Sequence, residues 1–323
     1  MNRITYSILF ILYILSDLIR IRSANQWRLA MKRLSRGRHI YFLDPAATPA
    51  ITIESGDELE VETWDAFEGL RDAATFEAKP DKGPATGPIA VRGAEPGDAL
   101  RIEFLSIVPK ADEGAAHMVM SNRGFLNDQF TTPDCLSIAI EGDEAVLPCG
   151  VRLPLRPSMG FVATTPEYRQ STASDSGPYG GDIDMQELVS GSILYLPVIV
   201  PGGLLALGDC HAVVADGAVA GTGAECASDT QIRVTLEKAT PIPMPRALTP
   251  EHFVVLSYGQ DIGRAMRDAV REMVDFLSRE KGMAPYDAYT LLSLAGDIRV
   301  SRTFRDISSV KMLLPRAVLD QLK

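Results

Sequence analysis

The sequence predicts a mainly β fold with a C-terminal part of α+β character: a β-sandwich or barrel-like core with two C-terminal helices. Three observations carry that expectation. Between about residues 40 and 238, apolar residues alternate with polar ones, the period of a half-buried strand. Gly, Pro and Asp cluster between those runs, where turns are needed. Past residue 260 the apolar spacing changes to the 3.6 period of a helix.

The elements follow in chain order. Residues 1–38 read as a hydrophobic and basic extension. Its apolar run from Ile4 to Leu15 has the length of a signal-peptide core and is short for a membrane span. Three readings stand: a signal or anchor within residues 1–24, an interfacial amphipathic helix, or a start annotated too far upstream, with Met31 beginning the working protein. We favour the last, which places the protein in the cytoplasm; the first would export or anchor it.

Residues 39–240 read as the β-rich part that carries the chemistry. "AITIESGDELEVETWD" gives strand, Ser-Gly-Asp turn, strand. "AEPGDALRIEFLSI" repeats the unit. "ILYLPVIVPGGLLALGD" predicts a buried hairpin about Pro201-Gly202-Gly203, with Pro197 marking an edge or bulge. "HAVVADGAVAG" predicts a second hairpin, with Asp216-Gly217 in a type I′ turn. "TQIRVTLEK" is a half-buried strand.

Residues 241–323 form the α+β part, packed on the same unit. "TPIPMPRALTPEH" is a proline-rich connector without a helix. Ile262, Met266, Ala269, Met273 and Leu277 then line one helical face, stopped by Gly282. "APYDAYTLLSLAG" gives a shorter helix with Pro285 in its first turn and Gly296 beyond its end. "DIRVSR" and "VKMLLP" close the chain as strands.

Bulk properties exclude several function classes. The chain has 323 residues and a formal net charge of −10, which argues against a nucleic-acid partner. Cys135, Cys149, Cys210 and Cys226 contain no CxxC pair, so they read as reduced thiols rather than a zinc ribbon or disulfide framework. There is no GxSxG, P-loop or GxGxxG motif.

Two stretches can carry chemistry. In "GGDID" (residues 180–184), two glycines precede Asp182 and Asp184, which an extended backbone would set on one side; the same stretch also reads as a solvated Gly-Asp loop. In "GDCHAVVADGAVAGTGAE" (residues 208–225), Asp209 and His211 share a strand face, and Cys210 points the other way. Folding back at Asp216-Gly217 sets His211 opposite residues near 222 and brings Glu225 to the end that holds Asp209. A carboxylate–imidazole set of this kind suits a divalent ion such as Zn²⁺, with a free carboxylate as general base. A buried histidine hydrogen-bonded by Asp209 is the alternative. His117 and His252 show no ligand spacing and read as structural.

"PLRPSMG", "GGDID", "GSILYLPVIVPGGLLALGDCHAVVADGAVAGTGAE" and "DAYTLLSLAGDIRVS", in this order, resemble the acetamidase/formamidase family from about residue 39 to the end. The resemblance implies a β-rich homo-oligomer that hydrolyses small linear amides to carboxylate and ammonia with a metal. It implies a divalent metal, Zn²⁺, held by His211, Asp184 and Asp209, with Asp182 and His39 as further ligand candidates, and Glu225 and Asp209 as catalytic groups. The core needs no membrane. Asp182 stands where the family usually has Asn, and His39 lacks the Trp that usually follows. Those departures leave a second reading: a non-catalytic β-sandwich that binds a small molecule.

Overall fold

The computed structural model describes residues 31–110, 115–120, 124–132, 134–173, 176–302 and 307–322. The competing readings of residues 1–30 lie outside these. The fold is mainly β, and among the described residues 19 strands form one hydrogen-bonded network.

Two ladders make up that network. In the first, Lys32–Leu34 runs parallel to Asp57–Thr63; then come Glu225–Glu237, Ala99–Lys110, Ile193–Pro197, Arg246–Leu248, His252–Gly259, Ser308–Pro315 and Asp297–Arg302, each antiparallel to the one before. In the second, Ile51–Ile53 runs parallel to Ala85–Val91, followed antiparallel by Leu205–His211, Ser158–Ala163 and Gly180–Asp182. The first residues of Glu225–Glu237 pair with both Leu205–His211 and Ala115–Met120, so this one long strand belongs to both ladders. Apolar residues from the two ladders, among them Ile53, Leu59, Ile102, Val162, Leu207 and Ile232, meet in one buried core. That is the sandwich-like arrangement the alternation predicts.

The C-terminal helices end where the sequence ends them. The helix Ile262–Lys281 is capped by Asp261, whose carboxylate accepts from the Arg264 amide at 2.5 Å, and stops at Gly282 with φ 68°. It buries Ala265, Ala269, Met273 and Leu277 against strands 252–259 and 308–315. The buried stripe thus begins at Ala265, and Ile262 stays 38% exposed. The second helix spans Pro285–Ala295. The connector before them holds no helix, but it does supply the short strand Arg246–Leu248.

Neither predicted hairpin forms as expected. Ile193–Pro197 joins the first ladder and Leu205–His211 the second, so the Pro-Gly-Gly turn is a crossing between ladders. Around Asp216 the chain makes a wide loop: His211 pairs directly with Glu225, and Cys210 with Cys226. Asp216 is taken up by Lys311 of a distant strand, which opens the two-residue turn its sequence suggests.

Candidate active site

The site is built at one end of four adjacent strands. Gly180–Asp182, Ser158–Ala163, Leu205–His211 and Glu225–Glu237 lie side by side. His211 Nε2 stands 3.1 Å from Glu225 Oε1, 3.8 Å from Asp184 Oδ1 and 3.9 Å from Asp209 Oδ1. Facing atoms of Asp184, Asp209 and His211 all lie within 4.8 Å of one another. His211 and Glu225 are each 2% exposed.

Backbone geometry aims these groups. Asp184 and Asp209 both take left-handed conformations, with φ of 44° and 59°. Such angles are uncommon outside glycine, though Asp tolerates them better than most, and they re-aim a carboxylate that an extended strand would point elsewhere. The His211 ring is held between two glycines. A methyl group on Gly160 would come within 2.5 Å of His211 Cε1, and one on Gly223 within 2.5 Å of His211 Cδ2. Glu225 is fixed in turn: its Oε1 accepts from the Thr222 hydroxyl at 2.6 Å and the Gly223 amide at 3.0 Å.

Electrostatics follow from crowding. Burial, then the neighbouring Asp182, pushes the Asp184 carboxyl up to about 7. Burial, then Glu225, raises Asp209 well above the usual range. Burial opposes charge on His211, but Glu225 and Asp209 outweigh it and hold the imidazole protonated well above its ordinary value. Burial works against Glu225 as well, yet the His211 charge and hydrogen bonds from His211, Asp209 and Thr222 keep it low. Asp184 Oδ1, His211 Nδ1 and Glu225 Oε2 are buried with no hydrogen-bond partner. Buried polar atoms are seldom left so. A cation held by Asp184, Asp209 and His211 would offset the crowded negative charge, and this donor set of carboxylates and an imidazole fits a divalent ion.

The acids open onto a cleft of about 60 Å³. Its other walls are mostly apolar, with Phe67, Phe76, Phe161, Ala66, Pro84 and Ala173, and Lys82, Thr172 and Thr222 are the polar side chains among them.

The comparisons with known proteins bear on the same residues. The acetamidase/formamidase family profile matches residues 36–176 and 169–321. The chain belongs to the acetamidase/formamidase family. Among solved structures, it is similar to an acetamidase from Bacillus halodurans, at 33% identity over 90% of this chain and 99% of that one, TM-score 0.84. It is also similar to an acetamidase from Yersinia enterocolitica, at 29% identity over 90% and 93%, TM-score 0.83. A third, from Thermoanaerobacter tengcongensis and predicted to be an acetamidase/formamidase, shares 28% identity over 90% and 98%, TM-score 0.83. Membership makes this chain an amidohydrolase of linear amides.

Within this family member, the residues expected from sequence distribute as follows. Asp184, Asp209, His211 and Glu225 come together. Asp182 lines the same cleft, but the buried Arg302 guanidinium bonds its Oδ2. His39 stands apart: its Nδ1 is 2.8 Å from the Arg36 carbonyl, and its Nε2 is 3.7 Å from Glu68. Gly180 and Gly208 lie close against neighbouring backbone: an added methyl would run into Val162 O at the first and come within 2.7 Å of Pro84 O at the second. Sequence reasoning passed over Gly160, Gly223, Thr222, Arg302 and the aromatic wall. Thr222, three residues before Glu225, carried a signal in its spacing; Gly160 and the wall carried none, because only the strand pairing brings them here. His117, read as structural, lies directly across from Glu225 on the adjacent strand. With Ser158, His211 and Ser137 it completes a polar row across five strands, side chains on one face.

Proposed function

We propose that this protein hydrolyses the carbon–nitrogen bond of small linear amides and releases ammonia, using a divalent ion, Zn²⁺, held by His211, Asp184 and Asp209. The observation that carries the reading is the buried set of three ligand atoms within 4.8 Å of one another. When bound, such an ion supplies polarisation of the amide carbonyl and a more acidic water. The remaining steps fall to the chain's own groups. Glu225, ionised and with Oε2 unpartnered, takes the proton of the attacking water. It passes that proton to the amide nitrogen, which leaves as ammonia. Asp209 shares its proton with Glu225 until a cation claims the carboxylate. Arg302 offsets the charge of Asp182, so the extra acid need not join the ligand set.

The same reading includes a homo-oligomer, supported by the family resemblance, and a cytoplasmic location, supported by four cysteines that all stand as thiols. No helix among the described residues is long and apolar enough to cross a membrane. Residues 39–240 would carry the chemistry and 241–323 brace it, a division that Arg302 bridges.

Elemental analysis and ammonia release from a panel of linear amides test the proposal together. Wild-type protein should hold about one divalent ion per chain and release ammonia. His211→Ala should lose both while keeping its circular-dichroism spectrum. A folded, metal-loaded protein without turnover would favour the binding-protein reading instead.

A further inference from the structure

One segment supplies most of the cleft's apolar wall. Between strands Asp57–Thr63 and Ala85–Val91 the chain makes an excursion that includes the short helix Ala73–Ala78. Ala66, Phe67, Phe76 and Pro84 of the wall all come from it. The excursion is internally tied. Asp65, fully buried, accepts from the Phe67 amide at 2.8 Å and the Gly69 amide at 3.2 Å, and pairs with Arg71 at 3.1 Å. Asp72 caps the helix by accepting from the Thr75 amide at 2.7 Å. Phe67 and Phe76 meet edge to face, with centroids 4.9 Å apart, and each is 3% exposed. The Lys82 ammonium lies 4.9 Å from the centre of the Phe76 ring.

Polarity dictates how an amide would lie between these walls. Its carbonyl and nitrogen belong at the acids, because a polar group against a phenyl face loses its hydrogen bonds. The acyl substituent must then run toward Phe67 and Phe76. On the scale where one water needs about 10–15 Å³, the cleft of about 60 Å³ holds a molecule of only a few heavy atoms.

We infer that Phe67 and Phe76 are the residues that set the acyl-length limit of this site, closing the cleft beyond the substituent on the amide carbonyl. The inference rests on the hydrolase reading for its chemistry, but the limit belongs to the aromatic pair. The two rings belong to a small satellite cluster with Ala73, separate from the main core, so one of them can be trimmed without opening that core.

The test measures kcat/KM of the metal-loaded full chain on formamide, acetamide, propionamide and butyramide. For wild type the value should drop about tenfold or more for each methylene beyond the limit. Phe76→Ala should move the break to a longer acyl chain, and Phe76→Leu should fall between. Should Phe76→Ala fail to fold, Phe76→Leu and Phe67→Leu carry the comparison. A length profile unchanged in folded variants, or wild type that takes butyramide as well as acetamide, overturns the inference. If wild type releases no ammonia from any amide, the hydrolase reading falls instead. Calorimetric titration with the same four amides then decides whether the length limit holds for binding.

Discussion

Two glycines confine the His211 imidazole from both flanks. His211 has a single close polar partner in Glu225, and Gly160 and Gly223 press on its ring carbons from both flanks. Adding one methyl at either place pushes the ring away from Asp184 and Asp209. Gly160→Ala is therefore expected to weaken cation affinity by about 10–100-fold, the usual cost of disturbing a residue that orients a ligand. Competition with a chromophoric chelator measures the affinity, and a retained circular-dichroism spectrum separates it from unfolding; unchanged affinity would sink the argument. The acids illustrate what sequence can and cannot show at this scale. Asp209 and His211 were legible as neighbours from their i, i+2 spacing. That Asp184 and Asp209 both adopt positive φ was not, since nothing in "GGDID" or "GDCH" distinguishes a strained aspartate from a relaxed one.

Strands and helices were legible in proportion to how local their determinants are. The helix Ile262–Lys281 was readable from its period and its Gly282 stop, because both are written within it; the Asp261 cap, equally local, was passed over. Pairing was another matter. Both turn signals, Pro201-Gly202-Gly203 and Asp216-Gly217, pointed to hairpins, and in both places a remote partner won. Lys311 shows how. Its side chain is fully buried between Glu187, at 2.5 Å, and Asp216, at 2.5 Å. It thus ties strand Ser308–Pro315 to the loop that follows His211. Removing the ammonium takes the cation from Asp216 and leaves the buried Glu187 with only Arg299, 3.6 Å away. Lys311→Ala should lower stability by about 3–5 kcal/mol, read from the urea midpoint. A shift well under that range would mean the tie does not hold the loop. Lys311→Met, which fills the volume but not the charge, should recover only part of the loss.

Across the molecule, the buried site couples stability to pH and to cations. In the ion-free protein, Asp184, Asp209 and His211 all have raised pKa values, so the folded state binds more protons than the unfolded one. Their contribution is complete below the unfolded carboxylate value of about 4. It is lost as pH rises through the Asp184 value of about 7. Glu225, lowered, opposes this, but it is one group against three. A bound divalent ion replaces those protons and adds its own stabilisation. The gap in Tm between Zn²⁺-supplemented and chelator-treated protein should therefore widen between about pH 5 and about pH 8; a gap that is flat or narrows would contradict the site's assignment. The layout of the chain has one more implication. The ionisable cluster is encoded between residues 182 and 225, whereas most of the apolar wall is encoded between 66 and 84. Reactivity and selectivity thus occupy separate stretches of gene. Grafting the earlier stretch from one relative onto another would let new amide preferences arise while the hydrolytic apparatus stays untouched.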